Sequence, residues 1–492
     1  MLSAPPEWAQ SAARALQLPL SGTAQSGASV GISAQPSMNS SVNTLNVQVT
    51  VQGAYAGSMQ DANPSDGVVR LSLAEAVQHG LQHNLGRMGA DAGAQQAQAQ
   101  WRSARSALLP TISASFSENA AKEDLASEGF TSALFDGFQL PSTVGPFHYY
   151  DLHGSLQQSV LDLTALYNNR SARQSANGAI LNAQQAREEV VLAVSGSYLQ
   201  LLATAKLIEE QQMEVAYAEA SYKQARAQAD AGNQAPLEAN RSLVELQTEQ
   251  QRLRSQKGDL QKQKYALARL IGIQLGVHLE LTDQLQALSN SPAPVDEVVR
   301  RAWAQRLDLR SAEAGLRAAE EARKAAQAEH LPTVSVSGQY GLQGTNPNQG
   351  NGIFQASAAV NLPIFNGGRI RADVTQADAT LNERRAELSS KRGAVELDVR
   401  NAMIDLEVAG EQVQTAESNR QLALANLQQS QDRFAVGVAD TVEVVNAQQS
   451  LAAADHDYVS SLLAQNLATL TLAHATGETE KNLSAIEKGA GK

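Results

Sequence analysis

Apolar residues recur at Val191, Val194, Tyr198, Leu201, Ala205 and Ile208, the alternating three-four spacing of a coiled-coil seam. The seam lies in a stretch from about Leu163 to Asp230 that has no proline, little glycine and a steady supply of Ala, Gln, Leu and Glu. Those residues are strong helix formers, and proline would break the run because it lacks an N–H and clashes with the preceding turn. At 1.5 Å per residue the stretch makes a rod of about 100 Å. A second rod, from about Arg369 to Phe434, carries its own seam of Val395, Val399, Ala402, Leu406, Ala409, Val413 and Ala416. Two matched rods of this length bridge a distance.

A different period precedes each rod. Ile112, Ala114 and Phe116 alternate with Thr111, Ser113, Ser115 and Ser117, and Val334, Val336 and Tyr340 alternate with Thr333, Ser335, Ser337 and Gln339. Each run follows a Leu-Pro-Thr and predicts a strand with one polar and one apolar face. A loop follows, long at about Glu118 to Pro146 with Phe130, Phe135 and Phe138, short and rich in Gly and Asn at Gly341 to Gly352. Alternation then resumes through Tyr150, Leu152, Leu156 and Val160, and through Phe354, Ala356, Ala358, Val360 and Leu362.

The same plan is therefore written twice. A helix over Leu73–Leu108 opens the first copy, and one over Val295–Glu329 opens the second. Each rod ends at a related turn, Ala231-Gly232 to Pro236-Leu237-Glu238 and Val436-Gly437 to Thr441-Val442-Glu443. Glycine ends one helix there, and Pro236 or the Asp440-Thr441 pair starts the next. Returning helices follow over about 237–271 and 441–475. The chain divides into an N-terminal extension over 1–70, a first repeat over 71–290, a second over 291–477 and a polar tail over 478–492. Within the extension, Leu45, Val47, Val49 and Val51 alternate with polar neighbours and predict one strand.

Composition narrows what such a chain does. Aromatic residues make up 4% of it and charged residues 18%, so long repetitive contacts rather than one thick core must hold it. A net charge of −12 disfavours nucleic acid, whose phosphates need a basic footprint. The chain has no cysteine, hence no disulfide, thiol nucleophile or thiolate zinc site. No phosphate loop, nucleophile elbow or zinc-protease helix is present. His79 and His83 stand four apart, but no third ligand accompanies them, so the reading includes no metal, no cofactor and no enzyme. No run reaches the roughly 18 apolar residues of a transmembrane helix. The first 20 residues lack the basic and apolar regions of a signal peptide, so the chain either stays inside the cell or has its export signal upstream.

Four two-faced strands cannot close around a lumen, since the smallest spanning barrels need about eight. An ordinary soluble sheet half-buried on helices gives the same alternation. Strands that feed directly into rods of about 100 Å point instead to several chains sharing one barrel and one tube.

The tandem helix, Leu-Pro-Thr strand, loop, strand, Pro363-Ile364-Phe365-Asn366-Gly367-Gly368-Arg369 and long rod resembles the TolC-like outer-membrane factor family. So does the segment Arg433-Phe434-Ala435-Val436-Gly437 followed by Thr441-Val442-Glu443-Val444-Val445-Asn446. The resemblance spans about 71–477, and departs at Leu161-Asp162-Leu163, where the family has Phe-Asp/Asn-Gly-Gly. It implies a mainly α fold with a small β part: a tandem repeat whose long antiparallel helices form an α-barrel. Four strands per chain enter a trimeric twelve-stranded transmembrane β-barrel. It further implies a homotrimer in the outer membrane, reaching into the periplasm. The implied partners are outer-membrane lipid, a periplasmic adaptor and an inner-membrane transporter. Ile112, Phe116, Leu152, Leu156, Val334, Val336, Phe354 and Val360 then face lipid.

By the same resemblance, Glu443 and Asn446 occupy the positions of the acidic rings at the periplasmic entrance. Glu238 and Arg241 are their first-copy counterparts at the constriction. Gly232, Phe434, Gly437 and Val438 take part in tip closure and adaptor docking. Two readings of Glu443 stay open: a pore ring that focuses a negative field, or a first-turn carboxylate stabilised by its own helix. The function implied is a passive exit duct of a tripartite efflux pump for small molecules. Type I protein secretion or metal efflux by the same fold is the alternative, and a soluble coiled-coil scaffold is the rival from another class.

Overall fold

In the computed structural model the described residues are 29–36, 45–60, 67–125, 127, 141–232, 235–288, 293–346, 350–436 and 438–481. The elements run β1 Ser29–Pro36, β2 Leu45–Gln52, a 3-10 turn Gly53–Ala56, β3 Val68–Leu71, α1 Leu73–His83, α2 Leu85–Ser106, β4 Thr111–Asp124 and β5 Thr143–Leu161. They continue with α3 Leu163–Asp230, α4 Pro236–Ile271, β6 His278–Leu281, α5 Val295–Gln305, α6 Leu307–Ala328, β7 Thr333–Gly344, β8 Asn351–Asn361, α7 Arg369–Ala435 and α8 Thr441–Thr476. The fold is mainly helical with a small strand part, and the two long rods are single helices of 68 and 67 residues.

Two compact units emerge, and each takes segments from both halves of the chain. One comprises residues 93–181 and 308–391 and contains a four-stranded antiparallel sheet in the order β4-β5-β7-β8. The strands outrun their expected ends. β4 continues to Asp124 and β5 begins at Thr143, because Ala121 pairs with Phe147 and Asp124 with Thr143 beyond the clean alternation. Phe147 and Tyr149 thus sit in β5, whereas Phe130, Phe135 and Phe138 lie outside the described residues.

The other unit comprises residues 1–92, 182–307 and 392–492. Its main core gathers Leu71, Leu73, Val77 and Leu81 around Val190, Val191, Val194, Tyr198 and Leu201, with Leu267, Ile271, Leu467 and Leu470. The α3 stretch there is apolar enough to pass for a membrane span by length and composition, against the sequence expectation. Two thirds (67%) of its most apolar 18 residues are buried inside the protein, which makes it core. The hairpin β1–β2 lays Val30, Ile32, Val49 and Val51 on this core. The parallel pair β3–β6 adds Leu71 and Leu279.

Each predicted opening helix is broken in two. Asn84 sits between α1 and α2 in an extended conformation (φ −68°, ψ 129°). It is fully buried, donating from Nδ2 to the Tyr55 carbonyl at 2.7 Å while Oδ1 accepts from the Gly86 N–H at 2.9 Å. An Asn side chain that bonds neighbouring backbone competes with the helix ladder. Arg306 makes the equivalent break between α5 and α6 (φ −58°, ψ 123°), and its guanidinium reaches Asp398 at 2.7 Å. Each return helix ends on a left-handed glycine set against that break. A Cβ on Gly272 (φ +86°) would come within 2.6 Å of the His83 Cβ, and one on Gly477 (φ +74°) within 3.3 Å of the Arg306 backbone.

Tyr198 ties the core together. Its buried hydroxyl shares its one proton between the Leu71 carbonyl at 2.8 Å and Asp283 Oδ2 at 2.9 Å, and burial followed by the Asp283 charge pushes its phenol well above the ordinary range. Tyr198→Phe removes both bonds without changing shape, and should cost about 1–3 kcal/mol. The check is the midpoint of chemical unfolding followed by helical circular dichroism, and an unshifted midpoint would deny the hydroxyl this role.

Candidate functional site

Two places hold the residues singled out in the sequence. The first is the pair of turns that close the long hairpins. At α3–α4, Gly232 takes φ +75° and its N–H donates to the Ala229 carbonyl at 3.0 Å, a left-handed stop that glycine adopts without strain. Pro236 then opens α4, where its fixed φ suits the first turn and its missing N–H costs nothing. Glu238 lies in that first turn and accepts a hydrogen bond from Arg241 at 2.9 Å. Glu238 is half-buried and Arg241 is exposed.

At α7–α8, Asp440 caps the helix by accepting the Glu443 N–H at 2.9 Å. Glu443 is held at the positive end of α8 and forms an ion pair with Arg433 of α7 at 3.4 Å. Glu238 and Glu443 are thus each satisfied by an arginine of their own hairpin. Asn446 is exposed one turn beyond, and Val438 and Gly232 are exposed at the turns. Gly437 lies outside the described residues. Phe434 is buried with Leu427, Val444, Leu451 and Ala454, which fastens α7 to α8 immediately behind the turn. Sequence reasoning placed Phe434 at the tip but assigned Arg433 no role; its opposite charge ten residues before Glu443 across a turn was the available signal.

The second place is the sheet of the other unit, where pairing register sorts side chains by face. Ile112 pairs with Leu156, which pairs with Gly338 and through it with Ala356; Phe116 pairs with Leu152. Val336 pairs with Ala358, and Val334 with Val360 and Leu161. Tyr340 and Phe354 are also opposite one another. All eight residues expected on the apolar face share it. Phe354 is 81% exposed, Ile112 75%, Val360 71% and Phe116 67%, an apolar surface that a protein immersed in water normally buries. The other face pairs Ser113 with Ser155, Ser337 with Ser357 and Gln339 with Gln355 through side-chain hydrogen bonds of 2.7 to 2.9 Å, and Ser115 meets His153.

Long helical hairpins that continue from a sheet greasy on one side and wet on the other define a protomer of a membrane channel. The profile of the outer membrane efflux protein family matches residues 81–273 and 298–478, and the chain belongs to that family. It is accordingly an outer-membrane efflux channel component and not an enzyme. The pyoverdine export outer membrane protein OpmQ of Pseudomonas putida is 28% identical over 316 residues, 63% of this chain and 67% of the relative. Outer membrane protein OprJ of Pseudomonas aeruginosa is 24% identical over 434 residues, 83% of this chain and 85% of the relative. Among solved structures, outer membrane protein VceC of Vibrio cholerae shares the fold with a TM-score of 0.70 at 20% identity, covering 82% of this chain and 96% of that one.

Phe434→Ala should remove about 3 kcal/mol or more of local stability at the α7–α8 turn. The measurement is limited proteolysis of the folded protein, where cleavage between α7 and α8 should accelerate. An unchanged rate would show that the ring does not hold the two helices together.

Proposed function

We propose that three copies of the chain assemble into a passive exit duct, the outer-membrane part of a tripartite efflux pump. The observation that carries this reading is the sheet. Its apolar face is exposed along its length, and β4 and β8 have no strand partner on their outer edges among the described residues. Backbone edges left open in hydrocarbon are costly, so a lipid-facing sheet must close on itself. Four strands are too few, and three sets of four make twelve, an even number in the range of spanning barrels. Lipid then covers Ile112, Phe116, Leu152, Leu156, Val334, Val336, Phe354 and Val360, and the serine and glutamine face lines water.

In this reading the repeats 71–290 and 291–477 each supply two strands and one long hairpin, and the hairpins of three protomers form the periplasmic tunnel. The duct has no energy source of its own; an inner-membrane transporter drives export through a periplasmic adaptor that docks near Gly232, Phe434, Gly437 and Val438. Small molecules are the favoured cargo, since relatives carry names for pyoverdine export and toluene efflux. A soluble coiled-coil scaffold leaves the greasy sheet face unexplained.

Glu443, with Asn446, Glu238 and Arg241, forms the entrance constriction. Arg433 neutralises part of the Glu443 charge in the resting protomer. Opening is an outward shift of the hairpin tips.

Two measurements test this function. The protein should require detergent to leave the outer-membrane fraction and should then sediment as a trimer; a detergent-free monomer would overturn the assembly. In planar bilayers, Glu443→Ala should weaken block of single-channel current by divalent cations added on the periplasmic side. Unaltered block would remove Glu443 from the constriction.

A further inference from the structure

Between the main core and the apolar cluster at the α7–α8 turn, the four long helices of the unit are crossed by a layer of charge. Arg420 of α7 bonds Asp455 of α8 and approaches Glu210 of α3 at 3.5 Å, while its guanidinium stacks 5.5 Å from the Tyr458 ring. Lys206 also approaches Glu210 at 3.5 Å. On α4, Glu249 accepts from Gln211 and from Arg252, each at 2.6 Å, and Glu245 accepts from Gln449 of α8 at 3.4 Å. Each of these carboxylates has a cation or an amide beside it.

Glu214 does not. It lies one turn beyond Glu210 on α3, is only 6% exposed, and takes part in none of the hydrogen bonds or ion pairs of the layer. The charges that bear on it are carboxylates of the same layer: Asp455 of α8, Glu249 and Glu245 of α4, and Glu210 of its own helix. The guanidinium of the layer on α7, Arg420, is already engaged by Asp455 and Glu210. A buried carboxylate with like charges around it and no cation of its own is costly when ionised, and a proton is the ligand that removes the cost.

We propose that Glu214 is a proton-binding site built into the helical unit, and that its proton governs how tightly the α7–α8 pair packs on α3–α4. The inference is independent of the exit-duct reading, because it concerns the packing of four helices within one protomer. Burial first, and then the field of Asp455, Glu249, Glu210 and Glu245, push the Glu214 carboxyl up from 4.5 to about 7. The folded form therefore keeps a proton that the unfolded chain releases. Stability from this group is greatest below about pH 4.5, declines as pH rises toward about 7, and is flat above that. Deprotonation loosens the interface, and acidification tightens it.

The test compares wild-type protein and Glu214→Gln in detergent micelles by thermal unfolding at about pH 5 and about pH 8. The amide keeps the shape and cannot ionise. The variant should match the wild type in acid and melt higher than it at the alkaline pH, so that part of the wild-type fall is lost. An equal fall in both proteins, or a variant less stable at alkaline pH, would overturn the proposal. A second measurement needs no variant. Infrared spectra of wild-type protein at about pH 6 should show a protonated carboxyl band that shifts on isotopic labelling of glutamate and disappears by about pH 8.5. The lack of such a band would equally overturn it.

Discussion

Hydrocarbon offers no hydrogen-bond partner to a peptide group, and that constraint organises the molecule. A sheet with one apolar face can sit in a bilayer only if every backbone donor and acceptor on its edges is met by another strand. β4 and β8 are the outer strands of the sheet, and one protomer has too few strands to bring its own edges together. Its four strands leave two outer edges open among the described residues. The serine and glutamine ladders on the opposite face bind to one another across the strands, which lets that face meet water without depending on it for every bond.

The helical unit answers a different constraint. With few aromatic residues to bury, it relies on alanine, valine and leucine seams repeated over many turns, and Tyr198 is the exception at the centre of its main core. Long seams of small residues give no strong preference for one lateral position over another. Charged groups supply that preference: Arg420 bridges α7, α8 and α3, and Gln211 with Glu249 joins α3 to α4. Buried charge is a poor source of stability but an effective means of fixing which faces meet.

Much of this was legible in the sequence because its periods are unmistakable. A seam of three-four spacing over tens of residues has no competing interpretation, and α3 and α7 end within a residue or two of the predicted limits. The sorting of Ile112, Phe116, Leu152 and Phe354 onto one face followed from alternation alone. What escaped was decided by single contacts. The breaks at Asn84 and Arg306 interrupt patterns that remain helical on either side, and depend on partners, Tyr55 and Asp398, far away in the chain. The strands β3 and β6 are four residues each, too short to show a period. The isolation of Glu214 depends on which helix faces which, and periodicity does not carry that information.

The glycines at the ends of α4 and α8 have a wider meaning. Gly272 abuts His83 within the first half of the chain, and Gly477 abuts Arg306 within the second. Each half therefore buttons its last helix onto its own first one, while His474 in the last turn of α8 also lies 3.5 Å from Glu189 of α3. A gene cut between the two halves would leave both of these fastenings whole. The two fastenings are local, whereas the core between them is shared, with Leu467 and Leu470 of α8 in one cluster with Leu71 and Val194.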